Sequence, residues 1–195
     1  MERVEKLGKN AVAILGEGFS SNVYVLTEGS DAILVDSGSG AAAPLIDALV
    51  TQGIAIKKVL LTHGHADHIQ GMNYISADGF LHKADLSRLR ELNAFAGDYS
   101  PPSNLLALGK EAVEFGDFEL KPVHCPGHTP GSVSYFDEAS GFLFSGDTLF
   151  ADKGVGRADL PLGNAKLLAE SLRALGKLGW KTLCPGHGPV ERARR

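Results

Sequence analysis

Cysteine is scarce in this chain of 195 residues; Cys125 and Cys184 are its only two. Two are too few for a disulfide scaffold, so stability has to come from a hydrophobic core. A long apolar run is also missing: nothing in the sequence approaches the ~20 residues that cross a bilayer. The opening residues, Met1 to Lys6, have no apolar signal-peptide core, which makes a cytoplasmic location the expectation. Basic charge is not in excess. Nineteen Lys and Arg stand against 23 Asp and Glu, a net charge of -4, which argues against nucleic acid as the main partner. There is no Pro/Gly/Ser linker, no low-complexity segment and no G-x-S-x-G nucleophile elbow. What remains, at 44% hydrophobic and 22% charged residues, is the composition of one globular domain spanning residues 1–195.

The segment that stands out is Thr62-His63-Gly64-His65-Ala66-Asp67-His68. It packs four potential metal ligands into six residues, as H-x-H-x-D-H. Neutral imidazole is the commonest ligand for zinc-like metals, and a carboxylate adds negative charge. Alternate residues of an extended segment point the same way, so His63 and His65 can grip one ion. Asp67 and His68, one step on, can reach a second.

The hydrophobic patterning sets this segment in a layered protein. Strands are expected at 11–15, 21–27, 32–35 and 57–61, with a helix over 41–52 capped by Gly53. The strand at 57–61 runs straight into the histidines, and sites collect in loops beyond the carboxyl ends of strands. Beyond it, 67–76 reads as helical, 80–81 as a short strand, 84–92 as one helix and 93–104 as a loop. Hairpins are expected at 111–115 with 118–124, and at 132–136 with 141–145. An irregular loop over 149–162 precedes an amphipathic helix over 164–178 and a last strand at 181–184. Strands and helices thus occur twice in similar order. The economical architecture is α/β: two sheets face to face, helices outside, and a site along the edge where strands of both halves end.

Three later residues each follow an expected strand and sit beside glycine: His128 in Pro-Gly-His-Thr-Pro-Gly, Asp147 in Ser-Gly-Asp-Thr, and His187 in Pro-Gly-His-Gly. Glycine lets a metal or substrate approach the backbone closely. The two cysteines precede the same tripeptide, as Cys125-Pro126-Gly127-His128 and Cys184-Pro185-Gly186-His187. They read as small buried residues ending two similar strands. His82 and His124, beside other strand ends, read as structural or supporting groups.

With these residues in view, the chain resembles the metallo-β-lactamase superfamily. It is most similar there to glyoxalase II-like (hydroxyacylglutathione) hydrolases, over the span from Asp36 to His187. The resemblance implies an αββα sandwich. It implies that His63, His65 and His128 hold a first metal, that Asp67, His68 and His187 hold a second, and that Asp147 bridges them. Asp36 matches a position that supports the metal ligands by hydrogen bonding. The cofactors implied are two divalent ions, zinc first, with iron or manganese as alternatives. The nucleophile implied is a metal-bridging hydroxide, with Asp67 orienting it.

The partner expected on this reading is a small-molecule acyl thioester such as S-lactoylglutathione. The two-domain glyoxalase II pattern has a base after the bridging Asp and an aromatic two positions on. Here Arg157 supplies the base, a candidate for binding a substrate carboxylate, and Asp159 stands where the aromatic would be. The expectation is a short, single-domain relative without the helical C-terminal substrate domain. Gly156-Arg157-Ala158-Asp159 also resembles persulfide dioxygenases of the superfamily, which use one iron. That is the alternative reaction, and lactone hydrolysis is a further one.

Overall fold

The computed structural model describes residues 3–97 and 99–193. The first sheet is built from β1 (Arg3–Lys6), β2 (Ala11–Leu15), β3 (Val23–Glu28), β4 (Asp31–Val35), β5 (Ala55–Leu60), β6 (Gly79–Leu81) and β7 (Leu105–Ala107). They lie side by side in chain order: antiparallel from β1 to β4, parallel from β4 to β7. The second sheet holds β8 (Val113–Phe115), β9 (Phe118–His124), β10 (Val133–Asp137), β11 (Phe142–Gly146), β12 (Thr182–Pro185) and β13 (Glu191–Arg192). These too follow chain order, with β11 and β12 as the parallel pair. A parallel pair needs a crossover. Here it is α5 (Ala165–Leu175), capped by the Asn164 side chain, which accepts from the Lys166 and Leu167 amides.

The sheets share one apolar core. Tyr24, Leu26, Ile33, Val35 and Leu60 of the first sheet pack against Leu120, Val133, Tyr135, Phe144 and Cys184 of the second. The outer face of the first sheet is covered by α1 (Ala43–Thr51) through Ile46, together with Ile69, Met72 and Leu89. The outer face of the second is covered by Leu175 of α5, against Leu143 and Leu183. Both faces of each sheet are therefore covered, which explains why β4, β10 and β11 are buried along their length without alternation. The architecture is the expected αββα sandwich. Cys125 and Cys184 are both free and buried.

The local differences from the sequence reading have physical causes. The expected helix over 41–52 begins with a 3₁₀ turn, Gly40–Ala42, and becomes α-helical at Ala43. The segment read as a helix over 67–76 is one turn, α2 (Ala66–Ile69), followed by a 3₁₀ stretch, Gln70–Tyr74. There the chain runs against its neighbour: a Cβ on Gly71 would lie 1.9 Å from the Ser37 carbonyl oxygen. The helix expected over 84–92 is broken into α3 (Lys83–Leu86) and α4 (Leu89–Leu92). The break turns Asp85 inward to loops of the site while Leu89 and Leu92 stay in buried positions. Strands β1, β7 and β13 were not foreseen; they are short edge-side pieces without strong apolar alternation. No helix among the described residues is long and apolar enough to cross a membrane.

Candidate metal centre

The expected ligands gather at one edge of the sandwich. Asp36 follows β4, His63 follows β5, and Asp67 and His68 lie in α2. His128 sits in the turn between β9 and β10, Asp147 follows β11, and His187 follows β12. The two sheets are fastened together along this edge. The Val133 amide donates to Thr62 O at 2.8 Å, the Tyr135 hydroxyl to Leu61 O at 3.0 Å, and the Tyr24 hydroxyl to Pro185 O at 2.6 Å.

Three sets of side chains each offer ligand atoms within 4.8 Å of one another: His63, His65 and His128; His63, His68 and Asp147; and Asp67, His68 and His187. In the first set, His65 Nδ1 lies 3.0 Å from His63 Nε2 and 2.9 Å from His128 Nε2. In the second half of the site, Asp67 Oδ2 is 3.0 Å from His187 Nε2, and Asp147 Oδ2 is 3.6 Å from both His187 Nε2 and His128 Nε2. Asp147 thus stands between the two halves. Gly186 makes this possible, because a Cβ there would lie 2.1 Å from Asp147 Oδ1.

The far sides of two of the rings are already engaged. His128 Nδ1 donates to the Arg157 carbonyl at 2.7 Å, which fixes the tautomer and leaves Nε2 a free lone pair. His68 Nδ1 contacts Asp36 Oδ2 at 2.8 Å, and Asp36 in turn accepts from the Thr62 amide and hydroxyl. Asp36 is held at φ 59°, a left-handed conformation rare outside glycine. Its contact is with one of the expected ligands, His68.

The charge states suit metal binding. Burial pushes His63 well down from the usual imidazole range, and neighbouring histidines add to it. Burial and His128 push His65 down to about 3. Both rings are therefore neutral at physiological pH. Burial would raise Asp147, but His68, His187 and His128 outweigh it and hold the carboxyl well below its ordinary range. Asp67 is likewise lowered: burial opposes, and His68 and His187 prevail. Burial lowers His68 too, yet Asp36, Asp147 and Asp67 together raise it well above its ordinary value. One buried ring surrounded by three carboxylates is a place built for positive charge.

The donors fit a divalent metal on geometric grounds as well. His68 Nε2 and Asp147 Oδ1 are buried 3.2 Å apart, and neither makes a hydrogen bond among the described residues. Such orphaned polar atoms are costly unless something satisfies them.

Comparison with known proteins agrees with this geometry. The pattern of the metallo-beta-lactamase superfamily matches residues 16–187. The chain belongs to the metallo-beta-lactamase superfamily. A probable metallo-hydrolase of Methanocaldococcus jannaschii is 32% identical to it over 191 residues, covering 90% of this chain and 91% of that one. A hydroxyacylglutathione hydrolase of Xanthomonas axonopodis pv. citri is 36% identical over 159 residues, 80% of this chain but 56% of that protein. Among solved structures, the BLEG-1 B3 metallo-beta-lactamase superposes with a TM-score of 0.78 at 32% identity, covering 93% of each chain. TTHA1623, crystallised in a di-iron-bound form, gives 0.77 at 30% identity, over 92% of this chain and 93% of that one.

Several residues that serve the site escaped the sequence reading. Asp85, fully buried, accepts from the Gly64 amide (2.9 Å), the Gly131 amide (2.6 Å) and the Thr129 hydroxyl (2.6 Å). It ties the loop of His63 and His65 to the loop of His128. Asn93 clamps the first of these, accepting from the Ala66 amide and donating to Gly64 O. Asn22 donates to Pro185 O and Gly188 O and so brackets His187. None has a local signature; their partners are distant in sequence. Arg157 contributes its carbonyl to His128, while its guanidinium pairs with Asp159 through Nε and one Nη at 2.9 and 2.8 Å. His82 and His124 stack on each other, ring centroids 4.4 Å apart, away from the ligand sets.

Proposed function

We propose that this chain is a binuclear metallohydrolase that cleaves acyl thioesters, S-lactoylglutathione being the reference compound of the class. The observation that carries the binuclear reading is the second half of the site. His68 Nε2 and Asp147 Oδ1, 3.2 Å apart, make no hydrogen bond among the described residues there, beside Asp67 and His187. His63, His65 and His128 would hold one ion, Asp67, His68 and His187 the other, and Asp147 both. When bound, two divalent ions lower the pKa of a shared water and polarise an acyl carbonyl.

The chain's own residues do the rest. Asp67, ionised and partly open to solvent, accepts a hydrogen bond from the attacking water and aims it. The Asp36–His68 and Arg157–His128 contacts keep the rings in place during reaction. A thiolate leaves without an acid to protonate it, so a thioester suits such a site better than an amide.

Metal-loaded protein is expected to release thiol from acyl thioesters and to carry two equivalents of zinc, iron or manganese. Absence of thiol release from every glutathione and coenzyme A thioester tried overturns the thioesterase reading. One tightly held iron, with oxygen consumed on glutathione persulfide, would replace it with the dioxygenase reading. Turnover of lactones alone would move the substrate class within hydrolysis.

A further inference from the structure

The two histidines outside the ligand sets are joined to each other. His82 and His124 stack face to face, with ring centroids 4.4 Å apart and planes 16° from parallel. Each ring has a second tie. His82 Nδ1 accepts from the Ala84 amide at 3.3 Å and caps the first turn of α3. His124 Nε2 lies 3.0 Å from the Pro130 carbonyl oxygen, which can only accept, so the ring donates. The turn between β9 and β10 is therefore held at three successive residues. Asp85 of α3 accepts from the Thr129 hydroxyl and the Gly131 amide, and His124 holds Pro130 between them. Both holds lead back to the start of α3, one through Asp85 directly and one through the stack on the cap residue. The same turn carries His128.

From this arrangement we infer that the His82–His124 stack is an acid-sensitive latch: with both rings neutral it holds the His128 turn against α3, and a proton on His82 releases it. The device is separate from the metal ligands and independent of the reaction the centre performs. The two rings are not equivalent towards a proton. On His124 it enters at Nδ1 and leaves the Nε2 donor on Pro130 in place. On His82 it can enter only at Nδ1, since Nε2 carries the proton of the neutral ring, and there it destroys the acceptor of the helix cap. The surroundings of His82 all oppose its charge: burial first, then His124 facing it from β9, then Lys83 beside it on α3, and together they hold the ring below the usual imidazole range. The other charged groups nearby are engaged elsewhere. Asp85 is taken up by Gly64, Thr129 and Gly131; on α4, Arg88 pairs with Glu91 and Arg90 acts on Tyr99. Strand β7, packed along α3, is Leu-Leu-Ala, and the residue paired with His124 on β10 is Val133. The folded chain therefore keeps His82 neutral and the latch shut at neutral pH. As pH falls below about 6.5, the lowered folded value means that stability is lost until His82 takes its proton and the cap opens.

The experiment follows amide exchange in the full-length, zinc-loaded protein at about pH 7.5 and about pH 5, corrected for intrinsic rates. The wild type is compared with His82→Asn, whose side chain supplies a cap acceptor that does not titrate. Any loss of zinc at the lower pH is common to both, so the difference between them reports the latch. The Ala84, Gly127 and Gly131 amides are expected to be equally protected in the two proteins near pH 7.5. Near pH 5 the wild type is expected to be about three- to tenfold less protected there, the contribution of one helix cap. His82→Ala, without the acceptor, is expected to show reduced protection at both pH values. Zinc affinity, read by competition with a chromophoric chelator, is expected to match near pH 7.5 and to favour His82→Asn by about three- to tenfold near pH 5. Wild type and His82→Asn exchanging alike at both pH values would overturn the latch. So would nitrogen NMR of the wild-type rings in which His82 takes up its proton while the Ala84 amide stays protected, a measurement that needs no variant to fold.

Discussion

The Thr129 hydroxyl donates to Asp85 Oδ2 at 2.6 Å, across 44 positions of sequence. That bond joins a residue of α3 to the neighbour of His128. With the Gly64 and Gly131 amides on the same carboxylate, it fixes the distance between the two loops that carry the first ligand set. Burial raises the Asp85 carboxyl, while the hydroxyl and amide donors lower it. Removing the acceptor leaves three buried donors unsatisfied. Asp85→Ala is expected to cost about 3 kcal/mol of stability, read from urea midpoints. It is also expected to weaken metal binding by His63, His65 and His128, read by competition with a chromophoric chelator. A variant of wild-type stability and wild-type metal affinity would remove Asp85 from this role.

Asp36 acts on the other half. Its carboxylate orients His68, and its left-handed backbone is one that asparagine also tolerates. Asp36→Asn is therefore expected to keep the fold but lower affinity for the second ion about ten- to hundredfold. Metal stoichiometry after dialysis against a weak chelator reports it, with a drop from two ions toward one as the expected result.

The two halves differ in how acid affects them. His68 is raised, so in the metal-free chain it carries a proton at neutral pH, and an ion binding there must displace it. His63 and His65 are lowered and have no proton to release. Calorimetry at pH 7, in buffers of different ionisation enthalpy, is expected to show at least one proton released with the second ion. Below the pH at which His68 yields its proton readily, affinity for that ion falls by about tenfold per pH unit.

Stability of the metal-free protein responds to the other pair. The folded-state pKa of His65, about 3, lies below the unfolded value, as does that of His63. As pH falls through about 6.5 the unfolded chain takes up protons that the folded chain does not. Each ring then subtracts about 1.4 kcal/mol per pH unit until its folded value is reached. His68 works in the opposite sense above about 6.5, gaining as pH falls from its raised folded value, and adds nothing further below about 6.5. Urea midpoints of chelator-treated protein at about pH 6.5 and about pH 5, below that window, check the sign; equal midpoints would contradict it.

The hairpin at Ala151–Gly154 turns through Asp152 and Lys153, at φ 54° and 61°, with the Gly154 amide donating to Ala151 O. Two consecutive left-handed residues are the signature of a type I′ turn, where Asn-Gly is preferred. Replacing the pair by Asn-Gly is expected to stabilise the protein by about 1 kcal/mol, seen as a rise in thermal midpoint.

What could be read in advance was whatever is local. His63 through His68 announce themselves because six residues hold four ligands, and His128, Asp147 and His187 because each joins a strand end to a glycine. The two sheets were legible because their strands are apolar runs in two successive sets. Asp85 was not, since an acid in the first turn of a helix is ordinary and its value comes from Gly64, Thr129 and Gly131 folding onto it. The single helix expected over 84–92 failed for the same reason: periodicity carried no sign that one of its residues had to face the site. Arg157 was read as a side chain reaching for substrate, whereas the structure employs its carbonyl on His128 and pairs its charge with Asp159.

The division of the ligands between the sheets has a consequence for how the protein comes into being. Every strand of the first sheet precedes residue 108, and every strand of the second follows residue 112. His63, His65, Asp67 and His68 belong to the earlier half, and His128, Asp147 and His187 to the later one. During synthesis the leading half emerges with four candidate ligands and no means of completing either set. On the proposed reading, ion capture in its final form waits for docking of the trailing half, so a filled centre would certify that the last strands have found their place.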